Sequence, residues 1–122
     1  MARCPRLILI VDDEERIRAM IGEHLEEKGF QTILASSGDD AIEHVRNFPL
    51  IDLIVTDVRM PGTLNGFDLV EQASASRPGI RTMIMSGYTD EAGNRAHVAD
   101  RFLAKPFTMA ILEGEVRTLL AA

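Results

Sequence analysis

The sequence predicts an α/β protein built on a parallel sheet. Short apolar runs alternate along the chain with segments whose apolar residues recur at helical spacing, which is the pattern of successive strand–helix units. The first apolar run is continuously hydrophobic, as expected of a strand that is buried on both faces. The chain has 122 residues, of which 46% are hydrophobic and 26% charged, so it fits one globular domain over residues 1–122.

The first half of the chain contains three predicted strands and two helices. The strands are residues 7–11, 31–35 and 53–56. The helices cover about 14–28 and 39–47, with Gly29 and Pro49 as their end signals. The apolar residues that recur at helical spacing in these two segments are Ile17, Met20, Ile21, Leu25, Ala41, Ile42 and Val45.

The second half repeats the pattern after a Pro- and Gly-rich loop at 57–65. A third helix is predicted at about 67–76, followed by strands at 81–85 and 101–104. Residues 88–100 lie between these strands and predict only a short or frayed helix, because Gly93 and a shortage of apolar residues interrupt the pattern. The last helix begins after Pro106, with Thr108 as its cap and Met109, Leu112, Val116 and Leu119 facing inward.

Polar groups follow four of the five predicted strands at the point where each strand ends. They are Asp12 and Asp13 after the first strand, Asp57 after the third, Ser86 after the fourth and Lys105 after the fifth. Parallel sheets bind ligands at the carboxyl ends of their strands, so these groups are expected to meet at one site.

The three carboxylates predict a divalent cation. Asp12, Asp13 and Asp57 would repel one another without a compensating charge, and a small all-oxygen ligand set suits Mg²⁺, with Mn²⁺ as the alternative. The simpler interpretation is that Asp12 or Asp13 caps the first helix, and both roles are compatible if one carboxylate caps while the other faces the metal.

The remaining groups fit phosphoryl transfer. Asp57 can act as a nucleophile that forms an acyl phosphate, Lys105 can neutralise phosphoryl oxygens, and Ser86 can donate a hydrogen bond to one of them. The Lys105–Pro106 bond is a candidate cis peptide that directs the ammonium inward. Taken singly, each residue has a plainer interpretation: a loop acid, a solvated lysine and a turn residue before Gly87. The combination is far more specific than its parts.

Four segments carry a clear resemblance to a known family. VDDEE, VTDVRMPG, MSGY and FLAKPF resemble the signature segments of the receiver domain of bacterial two-component response regulators, including single-domain chemotaxis regulators. The resemblance covers essentially the whole chain. It implies a flavodoxin-like (βα)5 three-layer sandwich with strand order 2-1-3-4-5, in which the fourth helix is short or irregular.

The resemblance also implies residue roles. Asp57 would accept a phosphoryl group from a phosphohistidine on a histidine kinase or a histidine phosphotransfer protein. The backbone carbonyl of Arg59 would join the three carboxylates around Mg²⁺. Ser86 would move toward the phosphoryl group, and Phe102 would turn inward with it, thereby switching a protein-binding surface. The plainer interpretation of Phe102 is an aromatic residue of the core.

Three features depart from the usual family pattern. The loop 61–66 is one residue longer, and the segment between Ser86 and Lys105 is shorter by about one helical turn. Arg59 and Tyr88 are bulky residues at positions that tune the lifetime of the phosphoryl group in this family. We hypothesise that they shield it from water, so that small replacements at both should speed its loss.

Bulk properties limit the partners and the location. The net charge of −6 argues against direct nucleic-acid binding, which needs a basic footprint. A single cysteine excludes an internal disulfide, and the short apolar run at 7–11 predicts neither a signal peptide nor a membrane insertion. We therefore expect a cytoplasmic protein. The Met1 start favours a stand-alone regulator over a piece of a larger sensor kinase, with a downstream protein target that the sequence does not identify.

Two other classes of function compete with this prediction. A phosphatase of the haloacid dehalogenase type would also use Asp57 as nucleophile, but such enzymes carry a second aspartate two residues later, where this chain has Arg59. A degenerate receiver would bind its partners without phosphorylation, and the complete set of acids, hydroxyl and lysine argues against it. The expected protein is therefore not a turnover enzyme, and at most promotes its own phosphorylation and dephosphorylation.

Overall fold

A computed structural model of the chain describes residues 6–87 and 98–121. The order of its elements is β1 (Leu7–Val11), α1 (Glu15–Glu27), β2 (Gln31–Ala35), α2 (Gly38–Asn47), β3 (Ile51–Asp57), α3 (Gly66–Ser76), β4 (Arg81–Ser86), β5 (Arg101–Ala104) and α4 (Met109–Ala121). All five predicted strands are present. The helix expected at 88–100 lies almost entirely outside the described residues.

The five strands form one parallel sheet in the order β2-β1-β3-β4-β5. This confirms the flavodoxin-like topology implied by the resemblance. β1, β3 and β4 are the inner strands, and their side chains are almost all buried. Continuous apolar runs therefore reflect burial on both faces of the sheet.

Two separate hydrophobic clusters cover the two faces. One packs α1 and α4 against the sheet and includes Ile21, Leu25, Leu112 and Val116. The other packs α2 and α3 on the opposite face. The predicted helical stripes are buried or, at Ile17 and Met109, partly buried, with one exception: Met20 is 46% exposed, because it lies at the edge of the stripe formed by its neighbours in α1.

Hydrogen bonds at the helix ends explain where the helices begin. The Ser37 side chain accepts from the Asp40 N–H at the start of α2, and Asn65 forms a capping box with Asp68 at the start of α3. Thr108 caps α4 as predicted, because its hydroxyl accepts from the Ile111 N–H at 3.1 Å.

The far ends of α2 and α3 are also joined. The Arg77 guanidinium, just after α3, donates to the carbonyls of Phe48 and Val45 at the end of α2. The end of α2 leaves such carbonyls without donors from the helix, and Arg77 satisfies them, together with the Ile51 N–H, which donates to the Phe48 carbonyl at 3.3 Å. No helix within residues 6–87 and 98–121 has the length and apolar character that a bilayer span requires.

Candidate functional site

The site lies at the carboxyl edge of the sheet, where the parallel topology collects the ends of four strands. Asp57 is the last residue of β3, the central strand, and Asp12 directly follows the neighbouring β1. Ser86 ends β4 on the other side, and Lys105 directly follows β5. The strand order therefore brings the predicted polar groups to one edge around Asp57.

Asp57 forms an ion pair with Lys105. The Lys105 Nζ lies 3.1 Å from Asp57 Oδ1, and the same oxygen accepts the backbone N–H of Val58 at 2.8 Å. The Asp57 side chain is 18% exposed, so solvent can reach it although most of its surface is covered by the protein. The Lys105–Pro106 peptide is cis, as the sequence predicted.

Asp12, Asp13 and Asp57 form an acidic cluster. One carboxylate oxygen of each lies within 4.8 Å of one of each of the others. Asp12 is almost fully buried, whereas Asp13 is exposed. Burial raises the pKa of Asp12 above its usual value, and the charges of Asp57 and Asp13 raise it further, against the opposing effects of the Glu14 N–H and Lys105.

The two oxygens of Asp12 have different environments. Oδ1 accepts the N–H of Glu14 at 2.9 Å, but Oδ2 is buried without a hydrogen-bond partner among the described residues. Neither aspartate is the N-cap residue of α1, since Glu14 holds that position without a side-chain hydrogen bond. The capping interpretation thus accounts for one oxygen of Asp12 through a short local turn and leaves the other unexplained.

This donor set fits a divalent cation. A buried carboxylate oxygen without a donor is costly, and a cation beside it would satisfy the oxygen and offset the mutual repulsion of the three acids. All three candidate side-chain ligands are carboxylates, which Mg²⁺ and Mn²⁺ prefer over softer ligands.

Three further residues were predicted for the site, namely Ser86, Arg59 and Tyr88. Ser86 is 8% exposed, and its carbonyl accepts the backbone N–H of Lys105 at 2.8 Å, which links the ends of β4 and β5. Arg59 is exposed in the loop that follows Asp57, whereas Tyr88 lies outside the described residues.

Phe102 is half-buried in β5. Its ring lies 6.1 Å from the ring of Phe67 at a tilt of 42°, beside a small cluster that includes Val58, Val70 and Ile84. In this conformation it packs, partly buried, against that cluster from the edge strand of the sheet.

Two contacts of the segment that follows Asp57 went unrecognised in the sequence. Gly66 approaches so closely that a Cβ there would lie 2.3 Å from the Asp57 carbonyl oxygen, and the Asn65–Gly66 pair at the end of the loop was the available signal. Asp39 accepts three hydrogen bonds from the loop after β3, and an acid in the first turn of a helix gives no sign in the sequence of such a distant contact.

Comparisons with known proteins agree on one family. A family model described as the response regulator receiver domain matches residues 8–117. Response regulator RR06 of Streptococcus pneumoniae is 32% identical over 117 residues, which cover 93% of this chain and 52% of that protein. Sensor kinase CckA of Brucella abortus is also 32% identical over 117 residues, but these are only 12% of its length. The chain thus spans about half or less of these curated relatives.

Solved structures of receiver domains match this chain over nearly the whole length of both chains. A CheY-like receiver domain protein from Methanospirillum hungatei superposes with a TM-score of 0.88 at 25% identity, covering 95% of this chain and 94% of that one. Response regulator TrrA of Thermotoga maritima, solved in complex with Mg²⁺ and BeF, gives a TM-score of 0.85 at 26% identity, covering 93% and 98% of the two chains.

Proposed function

The chain belongs to the response regulator receiver domains of two-component signalling, and from this we propose that it is a switch phosphorylated on Asp57. The observation that carries the proposal is the Asp57–Lys105 pair, 3.1 Å apart within a cluster of three carboxylates. A nucleophilic carboxylate, a fixed ammonium and a cation-binding set are the groups that phosphoryl transfer to a carboxylate requires.

The donor is a phosphohistidine on a histidine kinase or a histidine phosphotransfer protein. An Asp57 oxygen attacks phosphorus, the P–N bond breaks, and the imidazole leaves with the bonding electron pair. The product is an acyl phosphate on Asp57. Oδ1 is held by Val58 N–H and by Lys105, which favours Oδ2 as the attacking oxygen. The similarity to a segment of a sensor kinase supports a donor of this class.

The metal site consists of Asp12, Asp13, Asp57 and the backbone carbonyl of Arg59. When bound, Mg²⁺, or Mn²⁺ in its place, supplies positive charge that offsets the carboxylates and the phosphoryl oxygens. The buried Asp12 Oδ2 supports this assignment, because it has no hydrogen-bond donor among the described residues. The complex of TrrA with Mg²⁺ and BeF supports the same ligand class by analogy.

The remaining groups stabilise and transmit the phosphorylated state. Lys105 holds a phosphoryl oxygen by charge, and Ser86 donates a hydrogen bond to another. Phe102 moves with Ser86 and changes a surface that binds a downstream protein. Arg59 and Tyr88 slow the attack of water on the acyl phosphate, which a time course of phosphate loss in variants with small residues at both positions would test.

The chain acts as a single receiver unit over 1–122. It signals by binding another protein or by passing the phosphoryl group onward, and we place it in the cytoplasm with its kinase. It performs no turnover chemistry on small substrates beyond its own phosphorylation and dephosphorylation.

The first test is intact-mass analysis after incubation with acetyl phosphate and Mg²⁺. We expect one phosphoryl adduct on the wild type, none without Mg²⁺, and none on Asp57→Asn. Asp40→Asn is the matched control, because Asp40 is an exposed aspartate remote in sequence from the acidic cluster, and it should react like the wild type.

Beryllofluoride distinguishes a poor small-molecule donor from a wrong assignment. If acetyl phosphate gives no adduct but beryllofluoride with Mg²⁺ raises the melting temperature of the wild type and not of Asp57→Asn, the phosphoacceptor stands and the donor must be a protein. If neither reagent acts, the proposal is wrong and the chain is a receiver that binds partners without phosphorylation.

A further inference from the structure

We propose that Asp39, in the first turn of α2, is a positioning residue for the metal site at Asp57. It holds the loop between β3 and α3, defined here as residues 58–65, which carries the Arg59 carbonyl. The inference rests on the proposed function, since it concerns the same cation site. It also gives a role to the stretch of this loop that departs from the usual pattern of the family.

Asp39 accepts three hydrogen bonds from the tip of the loop. Its Oδ1 accepts the Thr63 hydroxyl at 2.9 Å and the Leu64 N–H at 3.1 Å, and its Oδ2 accepts the Thr63 N–H at 3.3 Å. These bonds lower the pKa of Asp39, with the Thr63 hydroxyl as the largest cause. A carboxylate that accepts several donors from one short segment holds that segment in a defined place.

The backbone around Asp39 is shaped to admit the loop. A Cβ at Gly38 would lie 2.7 Å from the Leu64 carbonyl oxygen and 2.8 Å from the Leu64 Cβ, so the loop packs directly on the first turn of α2. Gly62 has φ of +96°, and a Cβ there would lie 3.0 Å from Asp39 Oδ2. Both glycines are therefore required by the contact between the loop and α2.

A second attachment closes the base of the loop. The Gly66 N–H donates to the Val58 carbonyl at 2.8 Å, and a Cβ at Gly66 would overlap the Asp57 carbonyl oxygen. Met60 and Leu64 pack against the cluster between the sheet and the α2–α3 layer. Residues 59–62 are thus bracketed by the attachment at Gly66 and the attachment at Asp39.

The bracket matters because a metal ligand on a loop acts only when the loop is held. Arg59, Pro61 and Gly62 are exposed. Ordering such backbone when the ion binds would cost conformational entropy and weaken the affinity for the ion. The hydrogen bonds from Asp39 order the loop before the ion binds, so their loss should reduce Mg²⁺ affinity although Asp39 is not a ligand.

The test compares Asp39→Ala with Asp40→Ala in Mg²⁺ titrations followed by NMR. Both changes remove one acid from the first turn of α2, and only the first removes the loop contacts. We expect Asp39→Ala to raise the Mg²⁺ Kd about three- to tenfold. This is less than the roughly ten- to hundredfold loss of metal affinity that is typical when a residue hydrogen-bonded directly to a metal-ligating group is removed. Asp40→Ala should stay within twofold of the wild type.

Two further readouts separate positioning from general destabilisation. Amide hydrogen exchange at Thr63 and Leu64 should speed up in Asp39→Ala while the amides of β1 and β3 stay protected. The rate of phosphoryl adduct formation should recover at saturating Mg²⁺, since a loss of affinity alone is overcome by mass action. Thr63→Val should lose part of the Mg²⁺ affinity that Asp39→Ala loses. Thr63→Ser keeps the hydroxyl and should bind Mg²⁺ as tightly as the wild type.

The outcomes are distinguishable. Wild-type protein that binds no Mg²⁺ would overturn the proposed function, and this inference with it. Wild-type protein that binds Mg²⁺ while Asp39→Ala binds it equally well would overturn the positioning role alone. An affinity that falls equally in Asp39→Ala and Asp40→Ala would assign the effect to the lost charge and would also overturn it.

Discussion

The Asp12 carboxylate is costly for the fold in the absence of a cation. It is buried, it has two acidic neighbours, and one of its oxygens has no donor among the described residues. Its raised pKa means that the folded protein binds more protons than the unfolded chain at pH values just above 3.8. Stability from this group is therefore present at low pH and is lost as pH rises through the folded-state pKa.

Removing that charge should stabilise the metal-free protein. We expect Asp12→Asn to raise the free energy of unfolding at pH 7 by about 1 kcal/mol, a usual size for a single site, as measured by urea denaturation in EDTA. Asp13→Asn is the matched control, because Asp13 is exposed and should change stability little. Excess Mg²⁺ should stabilise the wild type and not Asp12→Asn. Equal stability of wild type and Asp12→Asn without metal would contradict this account.

The ease of predicting each site residue depended on how local its signal is. Asp12, Asp57 and Lys105 each end an apolar run, and parallel strands bring such ends together, so the sequence sufficed to group them. Asp39 acts on a loop 24 residues away in the chain. No spacing rule links those positions, because the contact exists only after α2 and α3 have packed side by side.

Some elements begin earlier than predicted, because side-chain hydrogen bonds extend them. β3 begins at Ile51, two residues earlier than expected, because the Asp52 carboxylate, which interrupts the apolar run, accepts the Leu7 N–H at 2.8 Å. α2 begins at Gly38 because the Ser37 side chain caps it. Sequence periodicity locates the middle of an element, whereas tertiary hydrogen bonds determine its ends.

α1 and α4 are joined by charged groups at the edge of their cluster. His24 Nε2 lies 3.0 Å from Glu113 Oε1, and Arg117 Nε donates to Glu113 Oε2 at 2.9 Å while its guanidinium covers the Phe30 ring. The hydrogen bonds from Arg117 and then from His24 lower the pKa of Glu113. The contribution of Glu113 to stability is thus present above about pH 4.5 and is lost as pH falls through its folded-state pKa.

Gly66 tests how closely α3 must approach the central strand, and Gly114 in α4 is its control. Gly66→Ala should lower the free energy of unfolding by about 1–3 kcal/mol, because its Cβ would meet backbone atoms of Asp57 and Val58 that cannot give way. Gly114→Ala in α4 meets nothing within 4 Å and should raise it by about 0.5–1 kcal/mol through helix propensity. Urea midpoints would measure both, and a neutral Gly66→Ala would show that the approach is not tight.

At the scale of the whole molecule, both hydrophobic clusters depend on the same sheet. Ile8 and Ile10 of β1 face the α1–α4 layer, while Leu9 and Val11 face the α2–α3 layer. Because β1 contributes side chains to both clusters, displacement of β1 would disrupt the core on both faces of the sheet. The two layers should therefore fold together. Alternating apolar runs and helical stripes predicted this α/β class, whereas the order of the strands came from resemblance to a family, because periodicity carries no information about which strands are neighbours.

The shared strands predict a single cooperative unfolding transition. Far-UV circular dichroism, which reports helices, and near-UV circular dichroism, which reports aromatic packing, should give coincident urea curves. Calorimetry should give a heat-capacity change of about 1.5–1.8 kcal/mol/K for a domain of this length. Two separated transitions would instead show that one layer can melt while the other remains.

Arg77 gives the α2–α3 layer a mechanical property. At one end, the Arg77 guanidinium joins α3 to α2. At the other end, Asp39 of α2 is hydrogen-bonded to the loop that leads into α3. A pair of helices attached at both ends resists sliding of one helix past the other. The stiffness of this layer therefore depends on two distant attachments, and removal of either one would leave α2 and α3 joined at a single end.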